Sequence, residues 1–101
     1  MRKKRSRITL STIKKRAVPV LKKHAVKRAS IFGSYARGTE KLSSDVDFLI
    51  EYKKKDKSLF DLVDLKQALE ETLKRDVDVV TYRSINWRLR EQILDEQIEI
   101  L

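Results

Sequence analysis

At 101 residues, the chain is the length of one small domain, with 41% hydrophobic and 39% charged residues, enough apolar content for a modest core under a charged surface. The absence of Cys excludes disulfide scaffolds, Cys-ligated zinc, iron–sulfur clusters and thiol nucleophiles, and the one histidine, His24, excludes a His-rich metal cage. The net charge of +9 is unevenly spread: residues 1–30 hold 12 of the 24 Lys and Arg and none of the 15 Asp and Glu.

The rest of the chain is therefore mildly acidic, and the basicity belongs to the N-terminus. Residues 1–9 read as a basic arm and residues 10–101 as one domain. Such an arm could contact nucleic acid, a phosphorylated ligand or an acidic partner. A solvated tail is the reading favoured, because no aromatic is interleaved in residues 1–30 to stack on bases. No apolar run is long enough to span a bilayer, and no signal-peptide core follows the basic start. A cytoplasmic protein with no membrane partner is the expectation.

Ile13, Val18, Leu21 and Ala25 fall near helical spacing, so a helix is expected over about 11–25, with Ser11 as its N-cap. Pro19 interrupts it, predicting either a bend or a second helix from about Val18. Residues 28–32 read as a short strand ending at Gly33. Val46, Phe48 and Ile50 alternate with Asp45, Asp47 and Leu49, the period of a strand. Tyr52 to Lys57 is a charged connection. Ser58 and Asp61 resemble a capping box, and Leu62, Leu65, Leu69 and Leu73 mark the apolar face of a helix over about 59–74. Residues 76–81 form another strand. Ser84 is placed as the cap of a helix over about 85–95, with Ile85, Leu89, Ile93 and Leu94 inward. Residues 97–101 are read as a last short strand. This alternation predicts an α/β (α+β) fold, a small mixed sheet covered by helices.

The chemistry concentrates in Gly33-Ser34-Tyr35-Ala36-Arg37-Gly38 and Ser43-Ser44-Asp45-Val46-Asp47, which hold both glycines of the chain. A glycine after a strand lets the backbone approach a ligand, and Ser34 offers its hydroxyl and N–H to an anion at the start of a helical turn. On a strand, Asp45 and Asp47 point to one side. Two adjacent carboxylates repel unless a cation neutralises them. A hard divalent cation such as Mg²⁺ takes carboxylate oxygens and leaves positions for water and phosphate. Asp78, on a strand with Val77 and Val79 facing the other way, is the candidate third ligand, with Asp76 as second choice. Two ions on such a set could clamp the attacking and leaving oxygens of a displacement at phosphorus. His24 reads as a solvent-facing helix end, Tyr35 as a surface or loop aromatic, and Trp87 as packing on the last helix or at a partner contact.

Ten residues, Tyr35 to Ser44, separate Ser34 from Asp45. This Gly-Ser, ten residues, Asp-x-Asp spacing resembles the DNA polymerase beta-like nucleotidyltransferases. Phe-Gly-Ser-Tyr-Ala-Arg-Gly and Ser-Asp-Val-Asp-Phe-Leu-Ile look most like the minimal nucleotidyltransferases, antitoxins of the MntA type. The resemblance spans residues 10–100 and implies the polymerase beta-like fold. It implies Mg²⁺, as two ions, on Asp45, Asp47 and Asp78, and ATP held by Gly33 and Ser34. Arg37 matches the family text and could touch phosphate or tie the loop to backbone carbonyls. The implied activity is AMP transfer from ATP to a tyrosine of a HEPN-family toxin, the chain being the antitoxin of a type VII toxin–antitoxin pair. Two other readings stay open: a non-catalytic antitoxin acting by contact alone, and a nucleotidyltransferase acting on RNA or a small molecule.

Overall fold

Residues 8–41 and 44–101 are described in a computed structural model of the chain; the arm residues 1–7 and Ser43 of the motif lie outside the described residues. Helix α1 spans Leu10–Lys23. Its N-cap is Thr9, whose hydroxyl accepts from the Thr12 N–H at 3.1 Å, and not the expected Ser11, which lies inside the first turn. The helix runs on through Pro19, so no second helix starts at Val18. Proline costs the Lys15 carbonyl its partner, but both residues are exposed, where water can take that bond.

Four strands follow: β1 Val26–Phe32, β2 Val46–Tyr52, β3 Val77–Thr81 and β4 Ile98–Glu99. Their order across the sheet is β3-β2-β1-β4. β1 pairs antiparallel with β2 and β4, whereas β2 and β3 run parallel, Val46 opposite Val77 and Asp47 opposite Asp78. A parallel pair needs a crossover, supplied by α3, Leu59–Leu73. Its start carries the expected box: the Ser58 N–H donates to Asp61 Oδ2 at 2.8 Å. The sheet is mixed and covered by helices, as the alternation predicted.

Alternation splits the sheet into two faces. Val46, Phe48 and Ile50 meet Ile13, Ala17 and Leu21 of α1 and Leu65, Leu69 and Leu73 of α3 in the main core. The opposite face, which carries Asp47 and Leu49, is partly apolar. Leu49 is fully buried there with Tyr82 and Ile85, backed by Phe32, Val80, Ile93 and Leu94. A 3-10 turn at Tyr82–Ser84 leads to α4, Trp87–Glu96, capped by Asn86 and not by Ser84. Ser84 instead shares a hydrogen bond with the Thr81 hydroxyl. On α4, Leu89 is exposed, against the expected inward position, and Trp87 is 78% exposed, with the Arg88 guanidinium of its own helix 5.3 Å from its ring centroid. Among the described residues, no helix is long and apolar enough to cross a membrane.

Candidate active site

β1 ends at Phe32 and the chain turns at Gly33, which has φ +74° and ψ −149° and opens a one-turn helix, α2, Ser34–Arg37. Gly38, left-handed at φ +74°, closes it, and the Thr39 N–H donates back to the Ser34 carbonyl at 2.9 Å. Tyr35, read as either a surface or a loop-packing aromatic, is the latter: it is buried in the main core and pins this turn to the α1–α3 side of the sheet. Arg37 is left at the solvent edge, its Nη1 donating to Glu96 Oε2 of α4 at 3.3 Å.

Asp47 lies at the centre of the arrangement. It sits opposite Phe32 on one side and opposite Asp78 on the other. Since Val46 and Phe48 point into the core, Asp47 points to the other face. Its carboxyl rests against Gly33: a Cβ at that glycine would collide with Asp47 Oδ2 and stand 3.2 Å from Cγ. The two halves of the sequence motif are therefore in contact. Gly33 is required both by its positive φ and by the carboxyl beside it.

Burial pushes the Asp47 carboxyl up to about 6; the charges of Asp78 and Asp45 push the same way, and Arg37 pulls it back. The three predicted carboxylates thus share one electrostatic neighbourhood. Asp45 and Asp78 are exposed, and Asp47 is half-buried. Asp76, the second choice, is also exposed, at the turn before β3.

Among the described residues, no group of three or more His, Cys, Asp or Glu side chains is gathered to hold a metal ion unaided. The donor set still suits Mg²⁺. This ion dehydrates reluctantly and is commonly bound by one or two carboxylates, several waters and the substrate's own phosphates, not by a closed protein cage. Two mutually repelling aspartates on paired residues beside an anion-accepting turn match that requirement.

Two contributors escape a reading of the sequence. Tyr82 reaches across the second face: its hydroxyl shares a hydrogen bond with the buried Ser30 Oγ at 2.8 Å and donates to Gln97 Oε1 at 2.8 Å. The Arg28 guanidinium stacks on its ring, 4.2 Å from the centroid. Glu96 is the other. Neither carries a local signal, because each matters through a partner far along the chain or on another element.

Comparison with known proteins agrees with this fold. Residues 15–101 match the family model described as polymerase beta, nucleotidyltransferase. A Methanocaldococcus jannaschii protein described as a candidate protein adenylyltransferase is 51% identical over 94 residues, covering 93% of this chain and all of that protein. A solved structure described as a candidate minimal nucleotidyltransferase superposes with a TM-score of 0.78 at 38% identity, covering 92% of this chain and 97% of that one. The MNT antitoxin from Shewanella oneidensis, solved in complex with a tri-AMPylated HEPN toxin, shares the fold at a TM-score of 0.71 and 20% identity, covering 90% and 71%.

Proposed function

The chain belongs to the polymerase beta nucleotidyltransferase family, and from that premise we propose that it transfers AMP from ATP to a tyrosine hydroxyl of a HEPN-family toxin, with Mg²⁺ on Asp45, Asp47 and Asp78, so acting as an antitoxin. The observation that carries this reading is the contact between the Gly33-Ser34 turn and Asp47, itself paired in register with Asp78. The partner class is supported by the HEPN toxin held by the Shewanella antitoxin of the same fold, and the transferred group by the protein adenylyltransferase description of the Methanocaldococcus relative.

Each residue then has a distinct task. The Gly33–Arg37 turn receives the triphosphate, with Ser34 offering its hydroxyl and backbone N–H and Arg37 its positive charge. Asp47, against the turn, lies on the nucleotide side. Asp78 lies on β3, an edge strand, and is exposed, so it is open to an acceptor arriving from solvent. The acceptor oxygen attacks the α-phosphorus in line, the bond from that phosphorus to the bridging oxygen breaks, and pyrophosphate leaves. The proton of the acceptor hydroxyl passes to an Asp78 carboxylate oxygen. Mg²⁺, when bound, neutralises the charge that develops on the phosphoryl oxygens.

Isothermal titration with ATP tests the binding half of this scheme. Binding should require Mg²⁺ and vanish in an Asp45→Ala/Asp47→Ala variant. Equal affinity without Mg²⁺, or unchanged affinity in the variant, would overturn the metal assignment.

A further inference from the structure

Resting on the nucleotide-binding role of the Gly33–Arg37 turn, we infer that Glu96, at the C-terminal end of α4, is a positioning residue that holds the Arg37 guanidinium toward the triphosphate. Arg37 sits on a one-turn helix and is half-exposed, with a long rotatable side chain and nothing on its own element to fix it. An arginine in that state is spread over many rotamers, and ordering it on a ligand lowers affinity. Glu96 supplies the missing restraint. Its Oε2 accepts from Arg37 Nη1 at 3.3 Å, leaving the other guanidinium donors free for a ligand.

Glu96 is itself well held. Its side chain is 28% exposed against 47% for Arg37. Its Oε1 accepts from Gln92 Nε2 at 3.3 Å. The next residue, Gln97, is tied through its side chain to Tyr82, which is tied to the buried Ser30 of β1. A continuous set of hydrogen bonds thus runs from the centre of the sheet to the end of α4, where the backbone carries it on to Glu96 and Arg37. The charge of Arg37 is felt at Asp47, so the restrained guanidinium belongs to the same neighbourhood as the carboxylates. An ion pair that served only to join α2 to α4 would do so at an exposed position, where such pairs add little stability.

The test is a double-mutant cycle on ATP affinity in the presence of Mg²⁺, measured by isothermal titration on the full chain with Glu96→Gln, Arg37→Gln and both. Glu96→Gln is close to isosteric and keeps an oxygen for Gln92, so the melting temperature should hold. Its dissociation constant for ATP should rise about three- to tenfold, the scale of one lost orienting, charge-assisted hydrogen bond. In the Arg37→Gln background the same change should do nothing further. The Arg37 Nε–H signal in ¹H–¹⁵N spectra should be sharp in the wild type and exchange-broadened in Glu96→Gln, which reads the restraint itself, while the loss of ATP affinity at an unchanged melting temperature is what a purely structural role would not produce. Unchanged or tighter ATP binding in Glu96→Gln, or effects that add in the double variant, would overturn the inference while leaving the nucleotide-binding role intact. A wild type that binds no ATP would overturn both.

Discussion

Asp47 is half-buried between two like charges, and its ionisation opposes folding. A carboxyl raised from the ordinary 3.8 to about 6 binds its proton more tightly in the folded chain than in the unfolded one. The folded state is therefore not penalised below about pH 4, loses stability as pH rises from there through 6, and carries the full penalty above it. Asp47→Asn removes that charge. In the absence of metal its melting temperature should exceed the wild type's at about pH 8 and converge with it near pH 4. A variant less stable than wild type at both pH values would contradict the assignment of Asp47 as a strained, functional charge. The two glycines of the turn give a second contrast. Both have φ +74°, but a Cβ meets the Asp47 carboxyl at Gly33 and nothing within 4 Å at Gly38. Gly38→Ala should cost about 1–2 kcal/mol, the strain of a left-handed backbone alone. Gly33→Ala should cost more, because Asp47 must also move, and should weaken ATP binding. Equal losses in urea unfolding would show that the contact is not felt.

At the scale of elements, the helices and strands are largely legible in the sequence. Leucines at 62, 65, 69 and 73 with the Ser58–Asp61 box give α3 nearly to the residue, because helix periodicity and capping are local. The strands that carry Asp47 and Asp78 follow from a period of two, although β2 begins at Val46 and leaves Asp45 one residue before it. The second apolar face is not legible. Leu49 stands between two strand positions that point into the core, so its partner must come from elsewhere, and Tyr82, in a turn 52 residues from Ser30, leaves no pattern. The start of α4 is misplaced for a related reason: Ile85 is buried just before the helix begins, so its apolar signal pulls the expected cap forward to Ser84. Tyr82 provides the prediction at this scale. Tyr82→Phe keeps the ring under Arg28 but strands the Ser30 hydroxyl, which is fully buried. It should cost about 1–3 kcal/mol in chemical unfolding, the usual penalty for an unsatisfied buried polar group. A loss below a few tenths would mean the network contributes nothing.

Taken as a whole, the molecule places the proposed site at one end of a four-stranded sheet, where β1 hands over to α2 and where β2 and β3 begin. The meeting of Gly33 and Asp47 is legible in the motif spacing, because the residues between Ser34 and Asp45 suffice to form a turn and return on the antiparallel neighbour of the strand just left. The Glu96 contact is not, since it joins residues 59 apart. The last two residues of the expected arm belong to this architecture, for Thr9 caps α1 and Ile8 is packed against the core, which leaves residues 1–7 as the part to test. Deleting residues 1–7 should leave the melting temperature nearly unchanged and reduce affinity for polyanions at low salt. A large fall in stability would show that the arm packs on the domain.

Transfer of AMP is the central claim, and mass spectrometry of a co-incubated HEPN-family partner reads it most directly. With ATP and Mg²⁺, the wild type should add AMP units to a tyrosine of that partner. Asp47→Asn keeps the fold and the contact surface but removes a charge on which stabilisation at phosphorus depends, so its rate should fall by about 10²–10³-fold. An Asp47→Asn variant that modifies the partner as fast as the wild type, or a wild type that neutralises the toxin without modifying it, would contradict the account.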